Sequence, residues 1–93
     1  MKEPGKDPLD IAIGITIRTK RNRLGLTIEQ LAGYSDTEVS YISEIENGKR
    51  NISTQKLMNL AAGLNLDDPT ILLKEAVKDV YPSIREKLDE NRE

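Results

Sequence analysis

The sequence contains neither cysteine nor histidine, and these absences narrow the chemistry that it can support. Without cysteine, a disulfide framework and a thiolate metal site are both excluded. Without histidine, the usual metal ligand and the usual proton carrier near neutral pH are missing. The sequence also has no glycine-rich phosphate loop and no nucleophile elbow. We therefore expect no cofactor, no metal and no small-molecule ligand, and we do not expect an enzyme.

Aromatic residues are scarce as well. Phenylalanine and tryptophan are absent, and the three aromatic residues are Tyr34, Tyr41 and Tyr81. So few rings argue against a platform on which the bases of a single strand would stack.

Long hydrophobic runs are a third absence. No segment approaches the roughly 18 apolar residues of a membrane span. The first ten residues, MKEPGKDPLD, lack the basic and then apolar pattern of a secretion signal. A chain of 93 residues is expected to form one small domain. We expect a reduced, soluble, cytoplasmic protein that does not associate with membranes.

The charged residues are distributed unevenly along the chain. The formal net charge is −2, yet residues 18–56 hold seven basic and five acidic side chains. Residues 67–93 hold eight acidic and five basic ones. A mildly positive middle followed by an acidic end indicates a local anion-binding face rather than a uniformly basic surface.

The first helix is predicted over residues 8–24. Asp7 is an N-cap candidate, and Pro8 suits the first helical position. The segment IAIGITI (11–17) alternates isoleucine with small residues, a pattern that on its own would predict a strand. The Asp-Pro start and the polar continuation RTKRNR favour a helix instead. Its inner face is predicted to carry Ile13, Ile17, Arg21 and Leu24.

Cap and stop residues predict further helices over residues 28–35, 38–47, 54–64 and 70–81. Thr27 and Ser53 are N-cap candidates, and Pro82 is expected to interrupt the chain. Ser83, with a glutamate three residues later, can form a capping box for a last short helix. The predicted fold class is all-α. The predicted organisation is a mobile arm (1–7), a five-helix domain (8–80) and a short helical tail (81–93).

The second and third predicted helices are joined by a turn of the length found in a helix-turn-helix. The fifth residue of the first of them is Ala32, where the two helices must approach closely. Asp36 lies in the turn, at a position that often takes positive φ, which aspartate tolerates at a small cost. Leu31, Ile42 and Ile45 are the apolar residues expected to hold the pair together.

The segment LTIEQLAGYSDTEVSYISEIENGKRNIS (26–53) resembles the Cro/phage-repressor (Xre) helix-turn-helix family, which includes restriction–modification controller proteins. The resemblance extends over residues 10–73 and implies a phage-repressor-like DNA-binding domain. In that family the second helix of the motif enters the major groove, and symmetric dimers bind half-sites about one helical turn apart. The implied function is a sequence-specific regulator of transcription, a repressor or controller. Its implied partners are a double-stranded DNA operator and a second copy of the chain.

The resemblance also implies an internal ion pair between Arg21, late in the first helix, and Glu46, near the end of the recognition helix. Helical spacing places Arg21 beside Ile17, and Glu46 follows Ile45 toward the first helix. Such a fork would fix how the recognition helix sits on the first helix rather than contact DNA. The alternative is that both residues are solvated surface charges.

Two other acidic residues, Glu38 and Glu44, occupy positions that face the duplex in family members, as do Val39 and Ser40. A carboxylate there can accept a hydrogen bond from cytosine N4, and Val39 can contact a thymine methyl group. Alternatively, Glu44 is neutral or repulsive and suppresses binding to wrong sequences. The sequence leaves these two interpretations of Glu44 open.

Phosphate contacts are expected from the helix N-terminus at Thr27 and from the amide and basic residues after the recognition helix, with Lys20 and Arg23 as further candidates. The family usually has glutamine at the position of Ile28, so modest affinity per monomer and a need for dimerisation are expected. The full predicted set of DNA-binding residues is Thr27, Thr37, Glu38, Val39, Ser40, Tyr41, Ser43, Glu44, Asn47, Lys49, Arg50 and Asn51.

The C-terminal third has more apolar residues than one helix needs against a four-helix core. Val80, Tyr81 and Ile84 are the candidate residues of a two-fold dimer interface. The alternative is that all of them pack inside and that the tail frays. A second function also stays open, a helix-turn-helix module whose main partner is another protein, as in antitoxins and anti-repressors. The acidic residues Glu38 and Glu44 would favour that second function.

Overall fold

A computed structural model of the chain describes residues 7–92, and every regular element within them is helical. The predicted all-α fold is therefore confirmed. The predicted mobile arm lies outside the described residues except for Asp7. The elements are α1 Pro8–Arg23, α2 Ile28–Ser35, α3 Val39–Glu46, α4 Thr54–Gly63, α5 Ile71–Asp89 and a closing 3-10 helix, Glu90–Arg92.

Helix α1 begins where its cap residues predict. The Asp7 carboxylate accepts hydrogen bonds from the backbone N–H groups of Leu9 (2.8 Å) and Asp10 (3.4 Å). Pro8 occupies the first turn, where its missing N–H has no intrahelical partner to lose. The Asp-Pro pair thus marks the start of the helix that supports the rest of the domain.

The alternating isoleucines lie on α1 and not on a strand. Ile13 and Ile17, one helical turn apart, are buried, whereas Ile11 and Ile15 remain partly exposed on the other side. The prediction that Leu24 shares the inner face is wrong. Leu24 is the C-cap residue, beyond the last helical residue, and its side chain is half exposed.

Helices α2 and α3 form the predicted helix-turn-helix. Thr27 starts α2 with a capping box: its hydroxyl accepts from Gln30 N–H (3.0 Å), and the Gln30 side chain accepts from Thr27 N–H (2.9 Å). In the turn, Asp36 adopts φ 49° and ψ 48°, the left-handed conformation expected for this position. The apolar residues that hold the motif together are all buried, namely Leu31, Ile42 and Ile45.

Two glycines allow helices to approach more closely than larger residues would permit. A Cβ on Gly14 would collide with the carbonyl oxygen of Ile45, so α1 rests directly on the last turn of α3. A Cβ on Gly63 would lie 2.8 Å from the Cβ of Ser35, where α4 meets α2. Gly14 is a poor helix former, but its lack of a side chain is what lets α3 lie against α1.

Helices α4 and α5 complete the core. Ser53 caps α4 by accepting from Lys56 N–H (3.1 Å). Asp68 accepts from the hydroxyl (2.6 Å) and the N–H (2.9 Å) of Thr70 just before α5. The bond from the Thr70 hydroxyl lowers the pKa of Asp68, so this loop carboxylate stays ionised. The buried apolar side chains are Ile13, Ile17, Leu31, Ile42, Ile45, Leu57, Leu60, Ala61, Leu64, Leu72 and Ala76.

Pro82 does not interrupt α5. The prediction of a break there, followed by a separate helix capped by Ser83, is wrong, because α5 continues from Ile71 to Asp89 with Pro82 inside it. Proline removes one backbone hydrogen bond, to the carbonyl of the residue four positions earlier, Lys78. Both residues are exposed, so water can bond that carbonyl instead. The predicted tail is therefore the continuation of α5 and the 3-10 helix.

Residues 7–92 contain no helix that is both long and apolar enough to cross a membrane. In the same part of the chain, no group of three or more carboxylates is placed to hold a metal ion. The surface features that bear on function are the exposed faces of α3 and α5.

Candidate nucleic-acid interface

Arg21 and Glu46 join α1 to the end of α3 through a two-pronged ion pair. Arg21 Nε donates to Glu46 Oε2 at 2.6 Å, and Nη2 donates to Oε1 at 2.8 Å. Arg21 Nη1 donates to the carbonyl oxygen of Leu26 at 2.7 Å. The hydrogen bond with Glu46 raises the pKa of Arg21, against the opposing effect of burial. The side chains are 12% and 1% exposed, so the pair faces the interior rather than a ligand.

Arg18 adds a contact to the same carboxylate that the sequence analysis did not predict. Its Nε donates to Glu46 Oε1 at 3.3 Å, and its Nη2 donates to Asn47 Oδ1 at 2.9 Å. Arg18 precedes Arg21 by three residues, a spacing that places both side chains on one face of α1. That spacing is visible in the sequence and was the available signal. Two arginines of α1 thus hold the last turn of α3.

The side of α3 away from the core is open to solvent. Glu38, Val39 and Ser40 are exposed at its start, and Ser43 and Glu44 are partly exposed one turn later. Glu38 is the N-cap residue, but its side chain makes no capping hydrogen bond, so the carboxylate interacts with the helix end through charge alone. The helix therefore presents two carboxylates, two hydroxyls and one apolar side chain on this side.

Thr37 and Tyr41 lie differently from the rest of the predicted set. Thr37 is buried, and its hydroxyl donates to the carbonyl oxygen of Ser35 at 3.0 Å. Its side chain is therefore not on the surface. Tyr41 is partly buried, and its hydroxyl accepts from the backbone N–H of Ser53 at 3.2 Å, at the start of α4. Tyr41 thus connects α3 to α4 and leaves part of its ring exposed.

Arg50, in the loop after α3, folds back toward the recognition helix. Its Nη2 lies 3.4 Å from Glu44 Oε1, and its Cζ lies 4.9 Å from the centroid of the Tyr41 ring. Both members of the ion pair are nearly half exposed, so solvent screens their attraction. These three side chains belong to a surface hollow of about 290 Å³, which is lined by Glu38, Ser40, Tyr41, Glu44, Arg50 and Lys56.

The amide residues that flank α3 have partners within the protein. The Asn47 side-chain amide donates to the carbonyl oxygen of Ser43 at 2.8 Å. The Asn51 side-chain amide donates to Asp10 Oδ1 at 3.0 Å. Both residues are exposed, as is Lys49, so all three remain accessible to a ligand beside the C-terminal end of α3.

Two lysines bond to other groups of the protein. Lys20 pairs with Glu75 at 3.0 Å and is only 15% exposed, so it braces α1 against α5 rather than extending toward phosphate. Lys56 donates to the carbonyl oxygen of Asp36 at 3.2 Å. Lys56 was not among the predicted site residues, because its contact depends on how α4 packs against the turn. It brings a positive charge to the hollow beside α3.

The second half of α5 carries an exposed apolar stripe. Its members are spaced by four, three and four residues, and each is 39–53% exposed: Val77, Tyr81, Ile84 and Leu88. Val80, beside them, is partly buried. Of the predicted interface residues, Tyr81 and Ile84 are therefore at the surface, and the alternative that all of this apolar surface packs inside is wrong.

Residues 17–70 match the helix-turn-helix family, from the middle of α1 to the start of α5. Control protein C.SmaI from Serratia marcescens is 35% identical over 63 residues, which cover 68% of this chain and 75% of that protein. The residues that match the family include α2, α3 and the Arg21–Glu46 pair, so the likeness covers the helix-turn-helix and the ion pair that holds it.

Solved structures agree with this match. The restriction-modification controller protein C.AhdI from Aeromonas hydrophila superposes with a TM-score of 0.65 at 33% identity, covering 68% of this chain and 94% of that one. The clp gene regulator ClgR from Corynebacterium glutamicum superposes with a TM-score of 0.70 at 28% identity, covering 88% of this chain and 87% of that one. The arrangement of helices is thus shared with proteins described as controllers and regulators.

Proposed function

The chain belongs to the Xre-type helix-turn-helix family, as its sequence suggested, and we propose that it is a sequence-specific regulator of transcription that binds double-stranded DNA. Helix α3 enters the major groove of the operator. The observation that supports this proposal is that α3 is held in a fixed orientation on α1. The Arg21–Glu46 fork holds its inner side, while Ser40 and Glu44 lie one turn apart on its outer side.

The exposed residues divide into those that face bases and those that flank the groove. Val39 and Ser40 are the direct base contacts, since a methyl group can pack on thymine and a hydroxyl can donate or accept. Phosphate contacts come from the N-terminus of α2 and from the loop after α3, because exposed N–H groups and cations there attract anions. These contacts to the DNA phosphates are assigned to Thr27, Asn47, Lys49 and Asn51. Thr37 is left out because its side chain is buried.

The regulator acts as a homodimer. Residues 8–80 form the DNA-binding domain, and residues 81–93 contribute to the dimer interface. The support is the exposed apolar stripe on α5, which exceeds what the core requires. A two-fold dimer would present two α3 helices to half-sites about one helical turn apart. Two weak half-site interactions would then combine into one tight interaction with the operator. This would compensate for the weak binding expected of a recognition helix that carries two carboxylates.

The relatives are regulatory proteins, and we assign no catalytic role and a cytoplasmic place of action. A second candidate function deserves a test, because Glu38 and Glu44 give the exposed face of α3 an acidic character. In that alternative, the face binds another protein rather than DNA.

Selection of bound duplexes from a random pool tests the proposal. The expected result is an enriched, two-fold symmetric motif with half-sites separated by about 10 base pairs. Competition with unrelated duplex at near-physiological salt should leave the selected complex intact, because specific binding is typically about 10³-fold tighter or more. A pool without an enriched motif would favour the protein-binding alternative.

A further inference from the structure

Glu44 has a neighbour that the two sequence-based interpretations did not include. Arg50 Nη2 lies 3.4 Å from its Oε1, and the Arg50 guanidinium also lies over the ring of Tyr41. Tyr41 is itself held at both ends: its backbone is part of α3, and its hydroxyl accepts from Ser53 N–H. The Arg50 guanidinium is thus placed between a carboxylate and a fixed aromatic ring.

We propose that Glu44 and Tyr41 orient Arg50 toward a base, so that Glu44 acts on sequence recognition through Arg50 and contacts no base itself. The inference rests on the proposed function, because it needs α3 to lie in the major groove. It replaces both earlier interpretations of Glu44, as a reader of cytosine and as a merely repulsive charge. Glu44 and Tyr41 are positioning residues, and Arg50 is the residue that determines specificity.

The location of Arg50 favours a base over a phosphate. Its side chain lines the same hollow as Ser40 and Glu44, which belong to the outer side of α3. The carboxylates of Glu38 and Glu44 offset the charges of Arg50 and Lys56 in this hollow, so a phosphate would meet two like charges there and gain no net attraction. A base edge carries no net charge and does not suffer that repulsion.

The chemistry of arginine identifies the base. A guanidinium has five N–H donors in a planar fork, and a bidentate contact to O6 and N7 of guanine is the commonest specific contact in the major groove. Such a contact requires the plane of the fork to be set in advance. Stacking on Tyr41 restrains that plane, and the bond from Nη2 to Glu44 restrains rotation within it.

The same selection from random duplexes, repeated with variants, tests this inference. Arg50→Lys keeps the charge but removes the fork, and we expect it to lose the preference for guanine at one position of each half-site, by roughly tenfold or more. Glu44→Gln should lose preference at that same position. The double variant should show no larger loss than Arg50→Lys, because both changes affect one contact. Tyr41→Leu, which removes the ring, should weaken the same preference.

The control is Asp67→Asn, which removes one negative charge from an exposed residue of the loop before α5, away from the proposed contacts. It should retain the wild-type motif. Thermal denaturation of every variant separates a loss of recognition from a loss of folding.

Two outcomes would overturn the inference alone. If Glu44→Gln changes a base pair that Arg50→Lys leaves unchanged, Glu44 reads a base directly. If Glu44→Gln tightens binding to all sequences equally and leaves the motif intact, Glu44 acts only by repulsion. A wild-type protein that enriches no motif would instead overturn the proposed function, and this inference with it.

Discussion

The turn and α3 carry four carboxylates within eleven residues, and their surroundings explain why this acidity is compatible with a DNA-binding face. Glu46 is enclosed by arginines of α1, and Asp36 occupies a turn position that requires positive φ. Glu44 contacts Arg50, which offsets its charge at the surface. Only Glu38 acts mainly through the helix end, where a negative charge is favourable. At the scale of the residue, a count of the carboxylates in this segment therefore overstates the negative charge that would face DNA.

The first prediction concerns the buried fork. Glu46→Ala would leave Arg21 charged, largely enclosed and without its carboxylate, so we expect the free energy of unfolding to fall by about 3–5 kcal/mol. Small domains have about 5–15 kcal/mol in total. Urea denaturation followed by circular dichroism measures the loss.

The matched control is Glu44→Ala, which removes a carboxylate two residues earlier whose ion pair is exposed. Its effect should stay below about 1 kcal/mol, because solvent screens exposed pairs. Equal stabilities for the two variants would show that the Arg21–Glu46 fork does not anchor α3.

At the scale of the helix, the caps at Asp7, Thr27 and Ser53 allowed accurate predictions. The capping box at Ser83 and single-residue propensities did not. The Thr27 cap and the Asp36 turn predicted α2 residue for residue.

The break predicted at Pro82 was wrong, because proline removes only one helical hydrogen bond. The carbonyl that loses this bond is exposed and can bond to water instead. Gly14 is a poor helix former, and the need for glycine there comes from the packing of α3, which lies about thirty residues away in sequence and leaves no local signal.

The second prediction follows from that close approach. Gly14→Ala places a methyl group against the carbonyl oxygen of Ile45, so α1 and α3 must move apart. Overpacking typically costs about 1–3 kcal/mol, and a contact with a backbone atom belongs to the upper part of that range, which exceeds the gain of about 1 kcal/mol in helix propensity. We expect a net loss of stability in thermal or urea denaturation.

Gly33→Ala is the control for the second prediction, since Gly33 lies within α2 and, among residues 7–92, no atom outside its own helical turns lies within 4 Å of an added Cβ. The same substitution should there raise stability, by about 0.5–1 kcal/mol. A stabilising Gly14→Ala would mean that the two helices are not in direct backbone contact.

At the scale of the whole molecule, the proposed function assigns recognition to the helix-turn-helix and assembly to α5. The resemblance in the sequence predicted the first part well, because the motif's spacing depends on local geometry. The internal contacts of the polar residues were predicted less well: the side chains of Thr37 and Lys20 bond within the protein, and the contacts of Arg18 and Lys56 were not predicted. Which polar side chains are free depends on contacts between helices, and these cannot be read from spacing alone.

The third prediction concerns assembly. Ile84→Glu places a charge in the middle of the α5 stripe and should convert the dimer to a monomer in sedimentation experiments. Loss of the second half-site should lower operator affinity on the order of a hundredfold. Met58→Glu, at a comparably exposed apolar residue of α4, should remain dimeric. A dimeric Ile84→Glu variant would place the interface elsewhere.

The most direct measurement of α3 in the groove is methylation interference on the selected duplex. Methylation of guanine N7 blocks the major groove, whereas methylation of adenine N3 blocks the minor groove. We predict interference from guanine N7 at two symmetric positions about one helical turn apart, with adenine N3 having no effect between them. Interference confined to adenine N3, or absent throughout a bound duplex, would contradict the account.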